Sequence, residues 1–104
     1  MLLGKLTFND LFNNDRYFPI ESTTHALERM EERGIDRQVV IEVIQELNYK
    51  ILFYNNSGEE VAIIDQEHDI AVIIEVRFNK VVVITVIDRA NIHIKDGTLM
   101  EEIA

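Results

Sequence analysis

Three side chains in one stretch of this sequence have the types and spacing to grip an anion. His25, Arg29 and Arg33 recur at i, i+4 and i+8. On an α-helix that spacing sets them nearly in line on one face. Two guanidinium groups at i, i+4 repel slightly, so helix stability does not call for them. As forked donors they suit a phosphate or a carboxylate. His25 falls in the first turn of such a helix. The helix dipole there disfavours imidazolium and leaves a neutral imidazole to accept a proton. Glu28, Glu31 and Glu32 share the segment, so a solvated, salt-bridged face accounts for the same spacing.

The remaining candidates carry less. Glu75 and Arg77 alternate on one strand and read as cross-strand pairs. Thr85 is the lone hydroxyl of its strand and reads as a core threonine. His68 lies in a turn and reads as solvent-exposed. His93 reads as a half-exposed strand residue between Ile92 and Ile94, and Arg89 follows the last long strand, at the sheet end. The three histidines lie far apart and there is no cysteine, so no metal-ligand spacing is visible. A Gly-rich phosphate loop, a Gly-x-Ser-x-Gly elbow and a His-Glu-x-x-His motif are also missing from the sequence. No cofactor and no metal are expected.

Two helices must position these residues. Thr23 or Thr24 supplies an N-cap hydroxyl for a helix over Thr24 to Arg33. Ala26, Leu27 and Met30 form its apolar stripe, and Gly34 is placed for a left-handed C-cap. Asp36 then caps a second helix, Arg37 to Leu47, with Val39, Val40, Val43, Ile44 and Leu47 on one face. From Tyr49 the period changes to two. Strands are expected over Lys50 to Tyr54, Glu60 to Asp65, Ile70 to Phe78 and Val81 to Asp88, the last pair joined by a tight Asn79-Lys80 turn. Short loops between them predict a mainly antiparallel meander. Alternation puts Ile74, Val76, Val83, Thr85 and Ile87 on the core face with Val40, Ile44 and Leu47. The opposite face carries Ala71, Ile73, Val82, Ile84 and Val86, half of it apolar, which calls for a cover such as a second subunit. Residues 1–22 read weakly: Leu2 to Phe8 as a strand, Asn9 capping a helical turn, then turn chemistry at Asn13-Asn14-Asp15. The tail reads as an extended piece, a turn at Asp96-Gly97 and a final helical turn capped by Thr98.

With 104 residues, 47% hydrophobic and 28% charged, the chain suits one α+β domain over 1–104: an N-terminal arm (1–22), a helical hairpin packed on a four-stranded sheet (23–88) and a tail (89–104). Met1 to Phe8 is too short for a signal peptide. The apolar run Ile70 to Ile74 falls short of the roughly 20 residues of a membrane helix. The expectation is a cytoplasmic chain with no membrane partner. Ten basic residues face nineteen acidic ones, a net charge of −9. That balance works against loose binding to nucleic acid and favours a basic protein partner.

The segment from Thr24-His25-Ala26-Leu27-Glu28-Arg29-Met30 through Arg33-Gly34-Ile35-Asp36 resembles the signature of a bacterial domain-of-unknown-function family, family 4258. Its members open with a helix reading His-Ala-x-x-Arg-Met-x-x-Arg-Gly-Ile. A second helix and a meander ending in a Val-Ile-Thr-Val strand follow; here that strand is Val83-Ile84-Thr85-Val86. The family is similar to the RelE-like ribonuclease toxins of the barnase/colicin-type nuclease fold. The resemblance implies a RelE-like sheet with helices on one side, and it marks His25, Arg29, Arg33 and Thr85 as site residues. The activity it implies is metal-independent RNA cleavage, with His25 as base or acid and the arginines as phosphate ligands. The competing expectation is a non-catalytic, dimeric interaction module.

Overall fold

The computed structural model describes residues 1–88 and 98–103. Arg89, His93 and the Asp96-Gly97 turn lie outside the described residues.

One mixed sheet of six strands carries two helices, which corrects the expected helical hairpin on a four-stranded antiparallel RelE-like sheet. The strands are β1 (Leu2–Asn9), β2 (Asp15–Ser22), β3 (Glu60–Asp65), β4 (Ile70–Arg77), β5 (Lys80–Asp88) and β6 (Leu99–Ile103). They lie in the order β1-β2-β5-β4-β3-β6. Only β3-β4-β5 is the expected meander. β2 runs parallel to β5, and β6 runs parallel to β3. Residues 1–22 thus form a hairpin inside the sheet. Pro19 sits in β2 opposite Lys5, one residue before β2 begins to pair with β5. Its missing N–H therefore costs no ladder bond on that side. The helical turn expected at Thr98 gives way to β6.

The helices are α1 (Thr24–Arg33) and α2 (Arg37–Leu47), as expected. Thr23 Oγ1 accepts from the Ala26 N–H, and an Asp36 carboxylate oxygen accepts from the Gln38 N–H. Gly34 closes α1 in the left-handed region, φ 63°, where a Cβ is strained. α1 lies along β5 and α2 along β1. At Gly4 a Cβ would come within 3.0 Å of Ile41 Cδ1, so α2 approaches β1 closely. The strand expected over Lys50 to Tyr54 is a 3-10 helix, Asn48–Tyr54, that buries Ile51. Asn48 adopts φ 52° and ends α2.

The core lies between the helices and the sheet. It packs Val40, Ile44 and Leu47 against Val72, Ile74 and Val83, together with Leu6, Phe18 and Ile20 of the first hairpin. A β-bulge in β5 corrects the expected facing. Ile73 pairs with Thr85 but Ile74 pairs with Val83, which leaves Ile84 as the extra residue. The bulge turns Val86 into the core and sends Thr85 and Ile87 to the other face, opposite Ile73 and Ala71. The turn of this hairpin is Phe78-Asn79, one residue earlier than expected, with Arg77 opposite Lys80. On the far face Ala62, Ala71, Ile73 and Val82 are all buried within the single chain. Among the described residues no helix is long and apolar enough to cross a membrane.

Candidate functional site

α1 completes an open edge of β5. β2 stops pairing with β5 at Ser22↔Val83, and α1 leaves from that point. The Thr23 N–H donates to Val83 O at 3.1 Å, and Thr23 Oγ1 donates to the bulge carbonyl of Ile84 at 2.9 Å. At the other end of the helix Arg33 Nη1 donates to Val86 O at 2.6 Å, with Nε 3.6 Å from Asp88. Strand carbonyls that β2 leaves behind are thus met by a threonine and an arginine.

His25, Arg29 and Arg33 do not together line any of the three clefts described below. Arg29 Nη1 pairs with Glu32 at 2.8 Å. His25 is exposed and makes no hydrogen bond or ion pair among the described residues. Thr85 is half-buried on β5, across from Ile73. Of the four site residues expected from the sequence, Arg33 lines the larger of the clefts formed by described residues.

That cleft, about 460 Å³, opens where the helical corner meets the sheet end. The corner supplies Arg33, Ile35, Asp36 and Val39. The β3–β4 turn supplies His68 and Asp69 with Ile70 behind them, and β5 supplies Asp88. Three carboxylates face one guanidinium and one imidazole. A second cleft of about 60 Å³ shares His68 and is walled by Glu42, Glu46, Asp65 and Glu67. A third, about 290 Å³, is bordered by Glu28, Glu31 and Glu32 alone.

His68 joins the first two clefts. Its Nδ1 lies 2.5 Å from Asp65 Oδ2. The Asp65 side chain is only 3% exposed, and its Oδ1 accepts from the Glu67 N–H. The hydrogen bond to Asp65 raises the His68 pKa above its ordinary value and outweighs the opposing effect of desolvation, and the charges of Asp65, Glu67 and Glu42 add to the rise. A carboxylate on Nδ1 fixes the ring and directs Nε2 outward. Ligand atoms of Asp65, Glu67 and His68 also lie within 4.8 Å of one another, a donor set able to hold a divalent cation. The sequence signal for this group was the density of Asp65-Gln66-Glu67-His68-Asp69, with Asp and His three apart across a turn. His68 is an exposed turn residue, as expected; its bond to Asp65 is not legible in the sequence, because nothing local announces that Asp65 is buried.

The family model of a domain of unknown function, DUF4258, matches residues 22–88. The chain belongs to this family. No curated protein and no solved structure matches it significantly. The likeness to RelE-type toxins gains no support from these comparisons. The DUF4258 span runs from the last residue of β2 to the last of β5 and holds α1, α2 and the whole β3-β4-β5 meander. Every residue lining the larger cleft falls within it, whereas β1 and β6 lie outside.

Proposed function

We propose that this DUF4258 domain is a non-catalytic interaction module that docks a basic protein partner. One observation carries the reading: the three clefts described above each hold more carboxylates than cations. An RNA backbone entering any of them would meet like charge, which costs binding and slows encounter. Grip on a phosphate needs donors that are free to turn to it. Arg29 and Arg33 instead face Glu32, Val86 O and Asp88 of their own chain. A basic surface meets the opposite situation, because it is steered towards the clefts and neutralises their excess charge.

The test sets two labelled probes side by side at about 0.15 M salt, a lysine-rich peptide and a single-stranded RNA. The expected result is saturable binding of the peptide, no binding of the RNA and an intact RNA after incubation. Cleavage of the RNA, lost in His25→Ala, would replace this reading with the enzymatic one.

A further inference from the structure

We infer that the larger cleft is the anchor of that interface and receives one lysine or arginine side chain of the partner, an inference that rests on the basic-partner reading. The cleft has two parts, and they match the two parts of such a side chain. Ile35, Val39 and Ile70 give it apolar surface. Asp36, Asp69 and Asp88 give it negative charge that outnumbers the guanidinium of Arg33 and the imidazole of His68. Lysine and arginine lay an alkyl stem along apolar surface and keep the charged head among polar groups. A neutral apolar side chain would fill the same space but strip water from carboxylates without replacing it. Asp69 and Asp88 also engage the chain itself. What they bring to the cleft is charge.

Size singles out this cleft. Its 460 Å³ lies within the range of roughly 300–1,000 Å³ usual for ligand pockets. The 60 Å³ of the second cleft holds about two waters. The third has room but only glutamates around it, with no surface for a stem.

Two of the carboxylates can be neutralised without disturbing the backbone. Asp36 is the N-cap of α2, and asparagine caps as well as aspartate. Asp69 adopts φ 54°, a left-handed conformation that asparagine also tolerates. The double variant Asp36→Asn/Asp69→Asn therefore removes charge and keeps shape.

The experiment is a fluorescence-anisotropy titration of the whole chain with a lysine-rich peptide. It is repeated with a peptide whose lysines are replaced by diaminobutyric acid, which keeps each charge on a shorter stem. The double variant is expected to bind the lysine peptide about tenfold more weakly. An Asp15→Asn/Glu59→Gln variant, which removes two exposed charges outside these three clefts, should bind it within about twofold of wild type. The wild-type chain should prefer lysine to diaminobutyric acid, and the double variant should lose that preference. If wild type binds the lysine peptide and the double variant binds it equally, the anchor is overturned while the basic-partner reading stands. Failure of wild type to bind either peptide overturns the basic-partner reading and the anchor with it.

Discussion

Arg33 and Arg29 are alike in sequence and unlike in what they hold. Arg33 meets a carbonyl of β5 beyond the stretch that β2 pairs and lies beside Asp88, whereas Arg29 makes an exposed pair with Glu32. Arg33→Leu should lower stability by about 1–3 kcal/mol, since it leaves Val86 O unmet. Arg29→Gln should stay within about 0.5 kcal/mol. Urea unfolding of both variants checks the contrast, and equal losses would contradict the edge-capping role. The i, i+4, i+8 spacing was legible from sequence, but the partners were not, because Val86 and Asp88 arrive from a strand that local patterning cannot place. His68 gives a second prediction. Its folded pKa is raised above 6.5 by the Asp65 hydrogen bond, so the pair stabilises the fold fully below 6.5 and loses that contribution as pH rises through the raised folded value. An NMR titration should find the His68 midpoint above 6.5, and Asp65→Asn should return it towards 6.5. An unmoved midpoint in the variant would remove Asp65 as the cause.

Among the elements, α1 depends on Thr23 twice over, for its own N-cap and for the bulge carbonyl of Ile84. Thr23→Ala should cost about 1–2 kcal/mol from the cap alone, and the unmet carbonyl adds to it. A loss below half a kcal/mol in thermal unfolding would mean that the β5 edge has no need of α1. Caps and helical stripes made both helices legible to the residue. The 3-10 helix was not: Ile51, Leu52, Phe53 and Tyr54 have strand composition, and only the left-handed Asn48 and the burial of Ile51 decide against a strand. Tyr54 fastens this helix to β6 through Glu101, with Oη 2.5 Å from the carboxylate. That bond, with burial behind it, raises the phenol from 10.0 to about 12. The neutral phenol is the form that bonds, so its stabilisation holds below pH 10 and is lost as pH rises through about 12. An ultraviolet titration should resolve one late tyrosine, absent in Tyr54→Phe. A titration with no late phenol would deny the anchor on β6.

At the scale of the whole molecule, the sheet was legible only where its pairing is local. β3, β4 and β5 follow one another through tight turns, and alternation finds them. The parallel pairings of β2 with β5 and of β6 with β3 join segments far apart in sequence, and no turn announces them. The bulge at Ile84 reversed the faces of the last residues of β5, since one extra residue shifts every side chain beyond it. Ile74→Ala should therefore cost about 2–5 kcal/mol as a core truncation, and Ile87→Ala, half-buried on the other face, clearly less. The candidate cleft was half legible. Arg33 and Asp36 stand out in the helix motif, but His68, Asp69 and Asp88 join them only through the fold. Acidity runs through every scale, from the net charge of −9 to the lining of these three clefts, and the role proposed for it is to dock a basic partner. The most direct measurement is an NMR titration of the isotope-labelled chain with a lysine-rich peptide at about 0.15 M salt. Docking of a basic partner in the larger cleft predicts saturable shifts centred on Ile35, Asp36, Val39 and Ile70. Shifts produced instead by single-stranded RNA and centred on His25 and Arg29, with the peptide silent, would contradict it.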